Sequence, residues 1–125
     1  MKIEVSNGEI IDKITILKIK SKNIKDKDKL VNINKELSIL SPLLEEIGIN
    51  EDHELFIDLL NINKELWKIE DNIRAKEKGR RFDFDFIELA RAVYVTNDKR
   101  SDIKKEINIV TGSELTEEKS YEEYQ

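Results

Sequence analysis

The chain contains no cysteine, one proline, one histidine, one tryptophan and only four glycines among 125 residues. Each shortage closes a class. Without cysteine there is no disulfide, no thiolate metal site and no cysteine nucleophile. His53 stands alone among acids near a helix start and reads as a solvated surface residue, so a His-based zinc site or a Ser-His-Asp triad lacks its parts. Glycine and proline are too scarce to turn a many-stranded sandwich or barrel. No phosphate-cradling glycine loop is present, and Glu45-Glu46 is followed by Ile49 where the helical pyrophosphohydrolase pattern places another acid. No metal and no cofactor is therefore expected. No apolar run approaches the length of a membrane span. The opening Met1-Lys2-Ile3-Glu4 has no signal-peptide core, so a cytoplasmic location without membrane insertion is expected.

What the chain has in abundance is charge, 39% of its residues, against about 25% in an average domain. A net charge of −5 argues against a nucleic-acid partner, which calls for a basic excess. Wide solvated helix faces produce such a balance, and the apolar pattern agrees. A first helix is announced by Ser6 and Glu9, spaced as a capping box, with Val5 and Ile10 placed as its hydrophobic staple. Ile10, Ile14, Leu17 and Ile24 continue at helical spacing, widened by Ile11, Ile16 and Ile19. The run Lys25–Lys29 reads as a turn. A second helix follows on Leu30, Ile33, Leu37, Leu40, Leu44 and Ile47. Pro42 should kink it or mark a restart capped by Ser41. A third helix over about 52–78 carries two stripes. One is aliphatic from Leu55 to Ile73. The other, Phe56, Leu60, Asn63, Trp67, Glu70 and Arg74, turns polar halfway. Gly79 closes it. A fourth helix over about 85–111 ends at Gly112, and residues 113–125 read as an acidic tail or short helix. The expected fold is an all-α single domain over 1–125, an antiparallel bundle of about four main helices in two hairpins. More apolar stripe than one neighbour covers implies a homodimer.

All five arginines, Arg74, Arg80, Arg81, Arg91 and Arg100, fall in one window, whereas lysines run from Lys2 to Lys119. Guanidinium is the group for bidentate carboxylate or phosphate contacts and for buried ion pairs. An antiparallel hairpin about Phe82 sets Asn63 against Ser101, Trp67 against Asn97, Glu70 against Tyr94 and Arg74 against Ala90. Asn63, Trp67, Glu70, Arg74, Tyr94, Asn97 and Arg100 then share one zone, flanked by Arg91. Two readings follow. In one, the zone is a structural network in which Arg100 pairs with Glu70 while Asn63 and Asn97 satisfy each other. In the other, the arginines hold an anion and Trp67 and Tyr94 stack on a ring or sugar.

Three segments, Ser6–Leu17, Glu65–Arg74 and Glu88–Arg100, together with Gly112-Ser113 and Glu118–Tyr121, resemble a small bacterial family of unknown function. Members of that family are often met beside surface-polysaccharide and glycosyltransferase genes. The first segment is also similar to the opening helix of all-helical chorismate mutases, but it carries no arginine. The resemblance implies no assigned activity or catalytic residue. The expected function is a binding or accessory module for an anionic ligand or a partner protein, in the cell-envelope carbohydrate metabolism that the family's gene neighbourhood implies. The alternative is a small all-α enzyme using the arginines to bind a phosphorylated or carboxylated substrate, with Glu70 as acid or base.

Overall fold

The computed structural model describes residues 1–124. Its elements are α1 (Asn7–Asn23), α2 (Lys27–Leu40), the single turn α3 (Leu43–Ile47), α4 (Glu54–Lys78) and α5 (Phe84–Thr111), with no strand among the described residues. The all-α expectation holds.

α1 is the axis of the molecule. Ile11, Asp12, Ile14, Thr15, Leu17 and Ile19 are all buried, so little of its circumference faces water except Lys13 and the C-terminal end. It packs against α2, α4 and α5, and touches α3 as well. Apolar residues on nearly every side dictate this placement, because a helix hydrophobic all round must be surrounded. α4 and α5 form the antiparallel hairpin, and α1 lies along it, antiparallel to α5: Gly8 meets Asn108 and Asp12 meets Arg100.

The start of α1 is tied down by three donated N–H bonds. Asn7 N–H reaches Ser113 Oγ (3.0 Å), Gly8 N–H reaches Asn108 Oδ1 (2.7 Å), and Glu9 N–H reaches the N-cap Ser6 Oγ (3.2 Å). These are the donors a helix N-terminus leaves orphaned, and two are satisfied from the far end of the chain. Glycine at position 8 is required by contact: a Cβ there would collide with the Lys104 carbonyl oxygen and press on Asn108 Oδ1. Only half of the capping box forms, since Glu9 spends its carboxylate on Lys104 (2.7 Å). Val5 is largely exposed and adds little as a staple.

Other boundaries depart from the spacing. The Lys25–Lys29 run is no turn beyond Asp26, whose carboxylate caps α2 by accepting from Asp28 N–H (2.9 Å) and Lys29 N–H (3.2 Å). Pro42 does force a restart, but Ser41 does not cap it; its hydroxyl donates back to the Leu37 carbonyl (2.7 Å). His53 is the N-cap of α4, half-buried, with Nδ1 accepting from Leu55 N–H (3.1 Å). Residues 113–124 form no helix and fold back along α5. Lys119 reaches Asp98 (2.8 Å), Glu117 reaches Lys104 (3.3 Å), and Tyr124 packs edge-on against Tyr94.

The core, Ile11, Ile14, Leu44, Ile49, Leu55, Phe56, Leu59 and Ile107, gathers where the start of α1, α3, the start of α4 and the end of α5 meet. Fully burying each such side chain contributes about 1.5–3 kcal/mol. At the opposite end the molecule thins to the α4–α5 hairpin alone, and every residue from Glu77 to Asp85 is exposed.

α3, α4 and α5 stop in the same way, with an N–H bonding back five residues: Ile49 to Leu44 (3.2 Å), Arg81 to Lys76 (2.9 Å) and Ser113 to Asn108 (2.9 Å). That arrangement puts one residue in the left-handed region. Gly48 (φ 89°) and Gly112 (φ 65°) take it on α3 and α5; on α4 it is Arg80 (φ 53°), with Gly79 one position too early. For a residue with a Cβ this conformation costs about 1–2 kcal/mol.

Candidate functional site

The polar half of the α4–α5 seam opens on a cleft of about 520 Å³ closed on its third side by α1. Six of the eight candidate residues line it, namely Asn63, Trp67, Glu70 and Arg74 from α4 and Asn97 and Arg100 from α5. Ile16 of α1 and Leu66 supply apolar wall, and Asp71 lies on the rim. The steps of three and four along α4 bring its residues to one face, as the spacing requires.

Tyr94 and Arg91 do not join them. Tyr94 turns to the tail, its ring 5.0 Å from Tyr124. Arg91 sits on the outer face of α5, where Nη1 donates to Glu88 (3.3 Å). Its guanidinium is held above its ordinary pKa first by Tyr94 and then by the Glu88 charge. The stacking partner for Trp67 is thus absent from the cleft, because the step from Asn97 back to Tyr94 passes to the tail-facing side.

The floor is an ion pair the spacing did not reveal. Arg100 bonds Asp12 with both arms of its fork, Nε to Oδ1 (2.9 Å) and Nη2 to Oδ2. It does not pair with Glu70, which instead accepts from Arg74 Nε one turn along α4 (3.1 Å). Asp12 is 1% exposed. A carboxylate so buried persists only when paired and fully hydrogen-bonded, and Asp12 is. Asn63 Nδ2 donates to Asp12 Oδ1 (2.9 Å) and to Thr15 Oγ1 (2.8 Å), while Thr15 Oγ1 donates to the Asp12 carbonyl (2.7 Å). Asn63 therefore answers to α1, not to Asn97. The Asp12 hydrogen bond is the main reason the Arg100 guanidinium is held still higher than usual.

One turn further along α5, Lys104 is nearly enclosed. Burial pushes its pKa down, yet its hydrogen bond to Glu9 and the charges of Asp12, Glu9 and Glu117 outweigh that and leave it raised. Lys104 thus sets a second cation near the Asp12–Arg100 pair, acting on Asp12 through its charge while it bonds Glu9 and Glu117.

Arg100 remains open to the cleft. Its Nη1 reaches Asn97 Oδ1 at a long 3.4 Å. Of five guanidinium N–H groups, two go to Asp12 and one to Asn97, leaving one on Nη1 and one on Nη2 with no partner among the described residues. Those two form the outer end of the fork, the edge that takes a carboxylate or phosphate bidentately. Arg74, with its side chain 80% exposed, stands at the mouth.

The family model for a family of unknown function, DUF6165, matches residues 1–124. The chain belongs to that family. No curated protein and no solved structure matches it. The DUF6165 assignment thus carries no activity or ligand to this cleft, and its chemistry rests on the residues themselves. Asp12 and Lys104 are the participants that stripe-reading missed. The signal for Asp12 was its position between Ile11 and Ile14 on a helix apolar on almost every side, which leaves an acid no route to water.

Proposed function

We propose that the protein is a small helical binding module that holds an anionic group, phosphorylated or carboxylated, in the cleft between α1, α4 and α5. The observation that carries the proposal is the guanidinium of Arg100, clamped by buried Asp12 and lining the cleft with two of its five N–H groups unpartnered among the described residues. A fork fixed in this way is preorganised and loses little freedom on binding. Arg74 is available as a second cation, because an exposed i,i+4 pair such as the one with Glu70 contributes only about 0.3–0.5 kcal/mol and is readily exchanged. Trp67, Leu66 and Ile16 give the apolar wall that a ring or sugar carrying the anion would lie against. A binding role is favoured over catalysis because the cleft is lined by guanidinium, amide and apolar groups, with Glu70 and Asp71 its lining acids and no histidine among its lining residues.

The sole tryptophan lines the cleft, so its fluorescence reports occupancy. Titration with sugar phosphates and small dicarboxylates should perturb Trp67 saturably. Arg74→Gln should weaken that binding about fivefold, roughly 1 kcal/mol, without lowering the melting temperature. Arg100→Lys, which keeps the charge but cannot grip Asp12 and offer a second edge together, should abolish binding. Undiminished binding in Arg100→Lys, or no saturable response to any of these anions, would refute the proposal.

A further inference from the structure

Among the three helix stops that share one hydrogen-bond arrangement, α4 alone places a side chain in the left-handed position, although a glycine lies next to it. A one-residue change of order would give that position to glycine, which fills it without steric cost. Backbone held in such a conformation clusters at functional surfaces, and the surroundings of Arg80 point the same way. Arg80, Arg81 and Lys78 make no ion pair among the described residues. Of the nearby acids, Asp83 and Asp85 share the single charge of Lys76, at 2.9 and 3.9 Å, and Glu88 is held by Arg91. Glu77 and the surplus carboxylate charge of Asp83 and Asp85 stand against these three cations, which leaves the cations in excess by one. Beside these cations stand Phe82, Phe84 and Ile87, 58%, 71% and 52% exposed. Phe82 is held edge-on to Phe86, with centroids 5.2 Å apart.

A protein of net charge −5 thus presents, at the thin end of its bundle, three cations without an ion-pair partner and three large apolar side chains within ten residues, 78–87. We propose that this tip docks on a bilayer surface rich in anionic phospholipid. Arg80, Arg81 and Lys78 would meet headgroup phosphates, and Phe84, Ile87 and Phe82 would enter the acyl boundary, without any helix spanning the bilayer. The geometry favours a lipid surface over a protein partner. The apolar side chains sit around the end of a two-helix arm, and the nearby cleft of about 570 Å³, bordered by Asn72, Lys76, Arg81 and Leu89 among others, includes none of them. A protruding end with basic and apolar groups together suits an interface that accepts side chains to a shallow depth and attracts cations.

The test is co-sedimentation of the full chain with vesicles of equal parts phosphatidylcholine and phosphatidylglycerol, against vesicles of phosphatidylcholine alone. Binding should require the anionic lipid and fall as salt is raised. Each arginine removed should weaken it about fivefold, the factor equivalent to roughly 1 kcal/mol per basic residue near the surface. Arg80→Gly with Arg81→Gln is the variant of choice, because glycine at position 80 relieves the backbone and unfolding cannot explain the loss. Phe84→Ser should weaken binding independently of salt. Failure of the native chain to sediment with anionic vesicles, or binding that ignores these substitutions, overturns the proposal. So does tip-dependent binding to polyglutamate without binding to vesicles, which would make the tip a protein-docking face.

Discussion

Asp12 concentrates the stability of the site in one carboxylate. Three donor groups converge on it, and removing one strands a buried charge instead of merely deleting a contact. Arg100→Met should therefore destabilise the fold by about 3 kcal/mol in urea denaturation. Adding Asp12→Leu should recover most of that, while adding Glu70→Met should recover nothing; a double-mutant cycle measures the coupling directly. Gly8 is the second sensitive position. Gly8→Ala brings a methyl group against the backbone of α5 where no flexible side chain can yield, and should cost about 1–3 kcal/mol. Its loss should appear in the melting temperature and in faster amide exchange at the start of α1.

Among the elements, the tail beyond Ser113 is held chiefly by ion pairs, joined by the Tyr94–Tyr124 contact and a Tyr124 hydrogen bond to Asp98. Asp98 is kept below its ordinary value of 3.8 by its hydrogen bonds from Lys119 and then Tyr124, against a lesser push from burial. Lys119 and Tyr124 are both raised, in each case first by Asp98. The signs differ. The Asp98 contribution is present above 3.8 and is lost as pH falls through its lowered value. The contributions of Lys119 and Tyr124 are present below 10.5 and 10.0 and are lost as pH rises through their raised values. The tail should thus stay docked between those limits and detach at either extreme, seen as loss of the Tyr94–Tyr124 proximity signal by NMR while α1–α5 remain helical. That the four long helices could be read in the sequence follows from their unbroken apolar steps. Their ends were less legible, because caps are set by side-chain choices no periodicity encodes: Asp26 capping from inside a charged run, His53 accepting through a ring nitrogen, Arg80 standing in for glycine. Half of the seam was legible for the same reason as the helices, since α4 repeats at fixed steps. Asp12 was not, because pairing α4 with α5 says nothing of what α1 lays across them.

The molecule is packed at one end and bare at the other, and its outer surface keeps apolar side chains that no internal helix covers. Val31 and Ile39 of α2 are 67% and 63% exposed on the side away from α1. We propose a homodimer that shields such residues; sedimentation at micromolar concentration should give twice the monomer mass, and a purely monomeric species at all concentrations would show that the chain leaves them in water. The knot of contacts at the start of α1 has a different consequence. Asn7 and Gly8 wait for partners 106 and 100 residues downstream, and Asp12 for one 88 residues away. On the ribosome α1 emerges ahead of the other helices but can neither complete its N-terminus nor neutralise Asp12 until α5 has left the exit tunnel. Folding of this domain should therefore wait for α5 to emerge. Arrested nascent chains ending before Arg100 should stay protease-sensitive throughout, and resistance should appear abruptly once Ser113 has cleared the tunnel.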